Sequence, residues 1–134
     1  LPQFNPDQDI DPAPQKISEF RKSLKMADGI LICTPEYAMG VPGALKNAID
    51  WTVSSAEFSK KPVALITASS MGEKAHTSLI ETIKIIESNI THETQLLISF
   101  AKTKINSDAV ITDKETLEQV KKLIISFSNL IGYE

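Results

Sequence analysis

The sequence predicts an α/β fold, a three-layer sandwich with helices on both faces of a parallel sheet. Residues 30–33 and 63–67 are short continuous apolar runs, as expected for strands covered on both faces, and residues 95–100 read as a third strand. Between them lie segments whose apolar residues recur at helical spacing. Strands alternating with helices indicate βαβ units, and no internal repeat or low-complexity tract competes with that reading.

Taken in order, residues 1–13 carry Pro2, Pro6 and Pro12 among aspartates and read as loop. Asp7, Asp9 and Asp11 read as a solvated acidic stretch, because a calcium loop would also need its glycine and closing glutamate. Pro14 suits the first turn of a helix that continues through Ile17, Phe20, Leu24 and Met26. Asp28-Gly29 ends it, with Gly29 expected as a left-handed cap. After the strand at 30–33, Pro42 opens a helix expected to reach about Val53, with Leu45, Ile49 and Trp51 partly inward. Residues 54–61 read as a polar connector into the strand at 63–67, which the loop Ser69-Ser70-Met71-Gly72 follows. Residues 73–88 form the next helix through Leu79, Ile83 and Ile86. Thr112 and Glu115 have capping-box spacing for a last helix through Leu117, Val120, Ile124 and Phe127 to about Ile131.

A chain of 134 residues is expected to form one domain, residues 1–134, with a core large enough to fold alone. Hydrophobic residues at 42% and charged residues at 23% fit a globular chain rather than a disordered one. A net charge of -3 gives no reason to expect nucleic acid or an anionic membrane as partner. No apolar stretch reaches the roughly 18 residues needed to span a bilayer, and no signal peptide is visible. The single cysteine, Cys33, fits a reducing, cytoplasmic setting and is expected as a buried, inert thiol.

The ligand signal is the turn that follows the first strand, Pro35-Glu36-Tyr37-Ala38-Met39-Gly40-Val41-Pro42-Gly43. In open α/β sheets, ligands bind beyond the carboxyl ends of the strands, where such turns lie. Read without a ligand, Pro42-Gly43 only starts a helix, and Ser70 with Glu73 has capping-box spacing. Lys46, Asn47 and Asp50 are expected to face solvent or another subunit. His76 and His92 stand apart from other ligand-type residues, so no metal site is expected, and exposure is the simplest reading of His76.

The stretch Thr34-Pro35-Glu36-Tyr37-Ala38-Met39-Gly40-Val41-Pro42-Gly43-Ala44-Leu45-Lys46-Asn47-Ala48-Ile49-Asp50-Trp51 closely resembles the signature of the NADPH-dependent FMN reductase family. These are flavodoxin-like proteins that include quinone, azo-dye and chromate reductases. The resemblance implies a flavodoxin-like αβα sandwich of strand order 2-1-3-4-5, with FMN at the carboxyl edge of the sheet. Pro35, Glu36 and Tyr37 would lie along the isoalloxazine ring, with Ala38 and Gly40 completing the turn. Ser69, Ser70, Met71 and Gly72 would meet the ring's other edge. Glu36 would orient the loop rather than act as a base, and no residue would be catalytic in the covalent sense.

The family begins with a strand and a loop resembling Gly-Ser-x-Arg-x-x-Ser-x-Asn that wraps the FMN phosphate, and no such sequence occurs in these 134 residues. Leu1 aligns with the loop after the family's second strand. The resemblance therefore implies a fragment lacking two strands and a helix, with the strand at 30–33 left as a bare apolar edge, or a chain that pairs that edge in an unusual assembly. Without phosphate contacts, these residues alone are expected to bind FMN at least about 100-fold more weakly than an intact domain.

The expected function is an NAD(P)H-dependent flavin oxidoreductase. NADPH, or NADH, would pass hydride to FMN and leave before a quinone or similar small acceptor takes the electrons in a ping-pong cycle. A homodimer or homotetramer is implied. The alternatives are a flavodoxin-like electron carrier, which binds flavin without oxidising NADPH appreciably, and an inactive fragment of the reductase.

Overall fold

A computed structural model describes residues 1–132. Eight regular elements run in order: α1 (Gln15–Met26), β1 (Ile30–Thr34), α2 (Gly43–Asp50), β2 (Val63–Ala68), α3 (Glu73–Ile85), β3 (Gln95–Ile98), α4 (Ala101–Lys104) and α5 (Lys114–Ile131). The strands form a parallel sheet in the order β1-β2-β3, with Ile32 opposite Leu65 and Leu65 opposite Gln95.

β2 lies between its two partners and explains the layers. Val63 and Leu65 face a core made with Ile32, Ile49, Phe58, Leu79, Ile80 and Ile83, so α2 and α3 cover that side. Ala64 and Ile66 face the other side, with Ile98 and Leu123, under α5. Burial on both faces is why this strand reads as an unbroken apolar run.

β1 departs from that expectation. Ile32 and Thr34 are buried, but Leu31 is 47% exposed and Cys33 is also exposed. Leu31 and Cys33 pair with Ala64 and Ile66, which places them on the α5 side of the sheet. There α5 packs chiefly over β2 and β3, and Leu31 and Cys33 stay exposed. Cys33 is therefore not the buried thiol its apolar neighbours suggested.

Gly29 is needed for a different reason from the one expected. α1 ends at an extended Ala27, and Gly29 does not adopt a left-handed conformation. A Cβ at Gly29 would come within 2.7 Å of Ile131 Cδ1 and 2.8 Å of Phe127 Cζ, so α5 packs against bare backbone.

The amino-terminal segment is not free loop. Pro6–Gln8 form a 3-10 turn capped by the Asn5 side chain, and Asp9 pairs with Arg21 at 2.6 Å with both side chains only 13% exposed. Arg21 Nε also donates to the Trp51 carbonyl. Asn47 accepts from Phe4 N and donates to the Pro2 carbonyl, which also accepts from Trp51 Nε1. Asn47 thus ties down the chain's own first residues, whereas Lys46 and Asp50 form an i,i+4 pair at the surface. The connector after α2 is likewise half core, since Glu57 and Phe58 are buried.

Three helix boundaries differ from the sequence reading. α2 stops at Asp50 and α3 at Ile85, the latter just before Glu87 turns left-handed. α5 is capped by Asp113, whose carboxylate accepts from Thr116 N and Thr116 Oγ1. No Thr112–Glu115 capping box forms, because the Thr112 hydroxyl donates to the Lys104 carbonyl instead. Its inward stripe carries Thr116, Val120, Leu123 and Phe127, which leaves Ile124 43% exposed.

Candidate functional site

The carboxyl ends of β1, β2 and β3 lead into three loops that are tied to one another. In the first, Tyr37 N donates to Gly40 O and Gly40 N donates to Tyr37 O, closing a two-residue hairpin. Its central residues, Ala38 and Met39, have φ of 47° and 61°. Positive φ at both positions is the signature of a type I′ turn, which favours Asn-Gly. Gly40 is not the residue in the unusual conformation, and a Cβ there would meet only Tyr37 O at 3.7 Å. The strain therefore rests on two residues with side chains. Replacing Ala38 by Asn and Met39 by Gly together is expected to raise stability by about 1 kcal/mol, read as a higher urea midpoint at unchanged slope.

The second loop is locked to the first through Glu36. Its backbone N–H donates to Ser69 Oγ at 3.2 Å. Its carboxylate accepts from Gly72 N at 3.1 Å and Ala75 N at 2.9 Å. Those two amides open α3, so a side chain from the first loop caps the helix that follows the second. The Ser70–Glu73 capping box is not formed; α3 has Gly72 at its N-cap, with φ of 92° and no side-chain cap of its own. Here glycine is required, since a Cβ would also lie 2.7 Å from Leu97 Cδ1. The Ala75 amide, ahead of the other hydrogen bonds, holds the Glu36 carboxyl below its ordinary value.

The third loop was missed by the sequence reading, which extended the strand through Phe100. Ser99 Oγ donates to Met71 O, Phe100 N to Ser70 O, and Ala101 N to Ser69 O. β3 ends at Ile98 because Phe100 turns left-handed, with φ of 54°. No local sequence signal marks this, since an aromatic residue disfavours that conformation.

His76 is half-buried rather than exposed. Its Nδ1 lies 2.8 Å from Thr67 Oγ1 at the end of β2, and burial pushes its pKa down against an opposing hydrogen bond from Gln95. A lowered folded-state value means that the contribution to stability is full above pH 6.5, the ordinary value, and is lost as pH falls below it. The urea midpoint is therefore expected to fall between pH 7 and pH 5, and His76→Gln to flatten that part of the profile.

The predicted site residues do gather at this sheet end. Pro35, Glu36 and Gly40 are partly buried, Gly72 is buried, and Tyr37, Ala38, Ser70 and Met71 are exposed. Among the described residues, the amides of Ala38, Met39, Ser70 and Met71 have no acceptor within the chain. Free donors beside apolar side chains suit a planar heterocycle whose edge carries carbonyl oxygens, which fits the isoalloxazine ring of FMN. The segments 35–40 and 69–72 contain no lysine or arginine, so they offer a phosphate no charge partner.

Residues 1–103 match the model of the NADPH-dependent FMN reductase family. The chain belongs to this family. It is an oxidoreductase chain of the kind that uses FMN with a nicotinamide dinucleotide. An NAD(P)H-dependent FMN reductase of Pseudomonas aeruginosa is 30% identical over 127 residues, which is 91% of this chain and 69% of that protein. An NADH-dependent flavin reductase subunit of Lactobacillus johnsonii is 28% identical over 144 residues, covering 99% of this chain and 75% of its own. A quinone reductase of Escherichia coli is 28% identical, with 88% of this chain aligned to 66% of that one. Among solved structures, the NAD(P)H:(acceptor) oxidoreductase FerB of Paracoccus denitrificans superposes with a TM-score of 0.83 at 25% identity, over 98% of this chain and 75% of its own. The fold is flavodoxin-like. No described helix is long and apolar enough to cross a membrane.

Proposed function

We propose that residues 1–134 act as one domain of an NAD(P)H:acceptor oxidoreductase in which Pro35, Glu36, Tyr37, Ala38 and Gly40 hold one edge of the FMN ring. Ser69, Ser70, Met71 and Gly72 hold the other. The overall reaction is NAD(P)H plus a proton plus a quinone giving NAD(P)+ and the hydroquinone. When bound, FMN supplies the hydride-accepting ring, and the protein supplies position and electrostatics. The free amides of Ala38 and Met39 would donate to the ring's carbonyl edge and favour negative charge there. Glu36 fixes the spacing between the two loops, and the type I′ turn holds Tyr37 and Met39 at the rim.

The observation that carries this reading is the Glu36 lock, which makes one rigid unit of two loops that are far apart in sequence. We further propose a small-molecule acceptor, assembly as a homodimer or homotetramer, and a cytoplasmic setting.

Flavin-fluorescence quenching with added FMN tests the site, and NAD(P)H oxidation with a quinone tests the chemistry. Saturable quenching with turnover supports the reductase. Quenching without NAD(P)H oxidation would assign an electron carrier, and a chain that neither quenches FMN fluorescence nor turns over would sink the assignment of these two loops.

A further inference from the structure

Phe100 places a large aromatic side chain where the fold asks only for a left-handed backbone between β3 and α4. It is a bulky aromatic residue with φ of 54°, a region that glycine, asparagine and aspartate enter far more readily. Its backbone is held there from both sides: the N–H donates to Ser70 O at 2.9 Å, and the carbonyl accepts from Thr103 N and Thr103 Oγ1. Yet the side chain contributes little to the core, being 60% exposed. A strained residue that is over-determined by its surroundings and still faces solvent points to function.

Its surroundings suggest which. Phe100 is one backbone hydrogen bond from Ser70, and its neighbour Ser99 is bound to the Met71 carbonyl at 2.7 Å. Met71 is itself 59% exposed, and Tyr37 and Met39 of the first loop are 65% and 68% exposed. The three loops thus carry large apolar side chains into solvent at one end of the sheet. The segments 35–40 and 69–72 hold no basic residue and their one acid, Glu36, is engaged with α3, while Lys102 and Lys104 lie on α4 just beyond Phe100.

We infer that Phe100, with Met71, extends the proposed ring site into an apolar platform on which planar electron acceptors stack. The inference rests on the flavin reading above and adds to it a residue that contacts the acceptor. An aromatic face offers offset stacking to a planar quinone and nothing comparable to a hydrated metal-cyanide anion.

The test uses Phe100→Asn, which removes the ring while keeping a residue that tolerates positive φ, and Phe100→Trp, which keeps an aromatic face. With FMN saturating, kcat and KM are measured for menadione and for ferricyanide, and FMN affinity by fluorescence quenching. Phe100→Asn is expected to lower kcat/KM for menadione roughly 3- to 10-fold, mainly through KM, as expected for loss of one aromatic contact. Ferricyanide reduction and FMN affinity are expected to hold, and Phe100→Trp to restore menadione turnover. Unchanged menadione kinetics, or equal losses with both acceptors, overturns the platform while leaving the flavin site standing. A wild-type chain that takes up no FMN overturns both.

Discussion

Trp51→Ala is expected to lower the unfolding free energy by about 3–5 kcal/mol, the range for truncating a large buried aromatic. Trp51 has no exposed surface, and its ring is where three parts of the chain meet. Phe4 packs edge-on at 5.0 Å and 77°, the Arg21 guanidinium lies 6.0 Å from the ring centroid, and Nε1 donates to Pro2 O. Loss of the indole removes this packing and the bond to Pro2 O, and loosens the first residues, which Asn47 and the Asp9–Arg21 pair still hold. Since small domains are stable by only about 5–15 kcal/mol, the alanine variant is near the limit of folding. Trp51→Phe keeps most of the apolar volume and is expected to cost about 1–3 kcal/mol, chiefly through packing and the lost Nε1 bond. Urea titration of both variants, with amide exchange followed over residues 2–9, checks the result. Wild-type stability in Trp51→Ala would show that the ring's burial contributes nothing.

Glu36→Ala is expected to weaken FMN binding by about tenfold or more, because it removes charge-assisted bonds to two helix amides and so unfastens the loops. Glu36→Gln is expected to fall between, since an amide keeps one acceptor oxygen and loses the other. The fold should persist in both, as the carboxylate lies at a surface helix end rather than in the core. The acid dependence has a definite sign. The lowered folded-state pKa means that the contribution of Glu36 is complete above its ordinary value of 4.5 and disappears as pH falls through the lowered one. Fluorescence quenching against pH reads this directly. Wild-type FMN affinity in Glu36→Ala would show that the lock does not organise the site.

Much of this was legible in the sequence because it is local. An unbroken apolar run such as 63–67 has one economical explanation, a strand buried on both faces, and β2 is that strand. The turn from Pro35 to Gly43 carried enough specific residues to mark the family. The errors also have a common cause. Cys33 and Leu31 share the apolar character of β2 but stay exposed beside it, so composition overstated their burial. Thr112 and Ser70 had the right spacing for capping boxes, yet Asp113 and Glu36 supplied better acceptors. Asn47 and Asp9 looked like solvated polar residues because their partners, Pro2 and Arg21, are distant in sequence.

By itself, then, the sequence determined the family, the three strands and the main helices between them, and it singled out the two segments proposed to hold the ligand. Each of these follows from periodicity or from residues adjacent along the chain. Only the tertiary structure decided that Glu36 caps a helix 39 residues away at Ala75, that Ala38 and Met39 bear the strain of the turn, and that Phe100 turns left-handed with its ring exposed. Those features depend on which backbone groups remain unpaired once the sheet has formed, and that is settled only when distant segments meet.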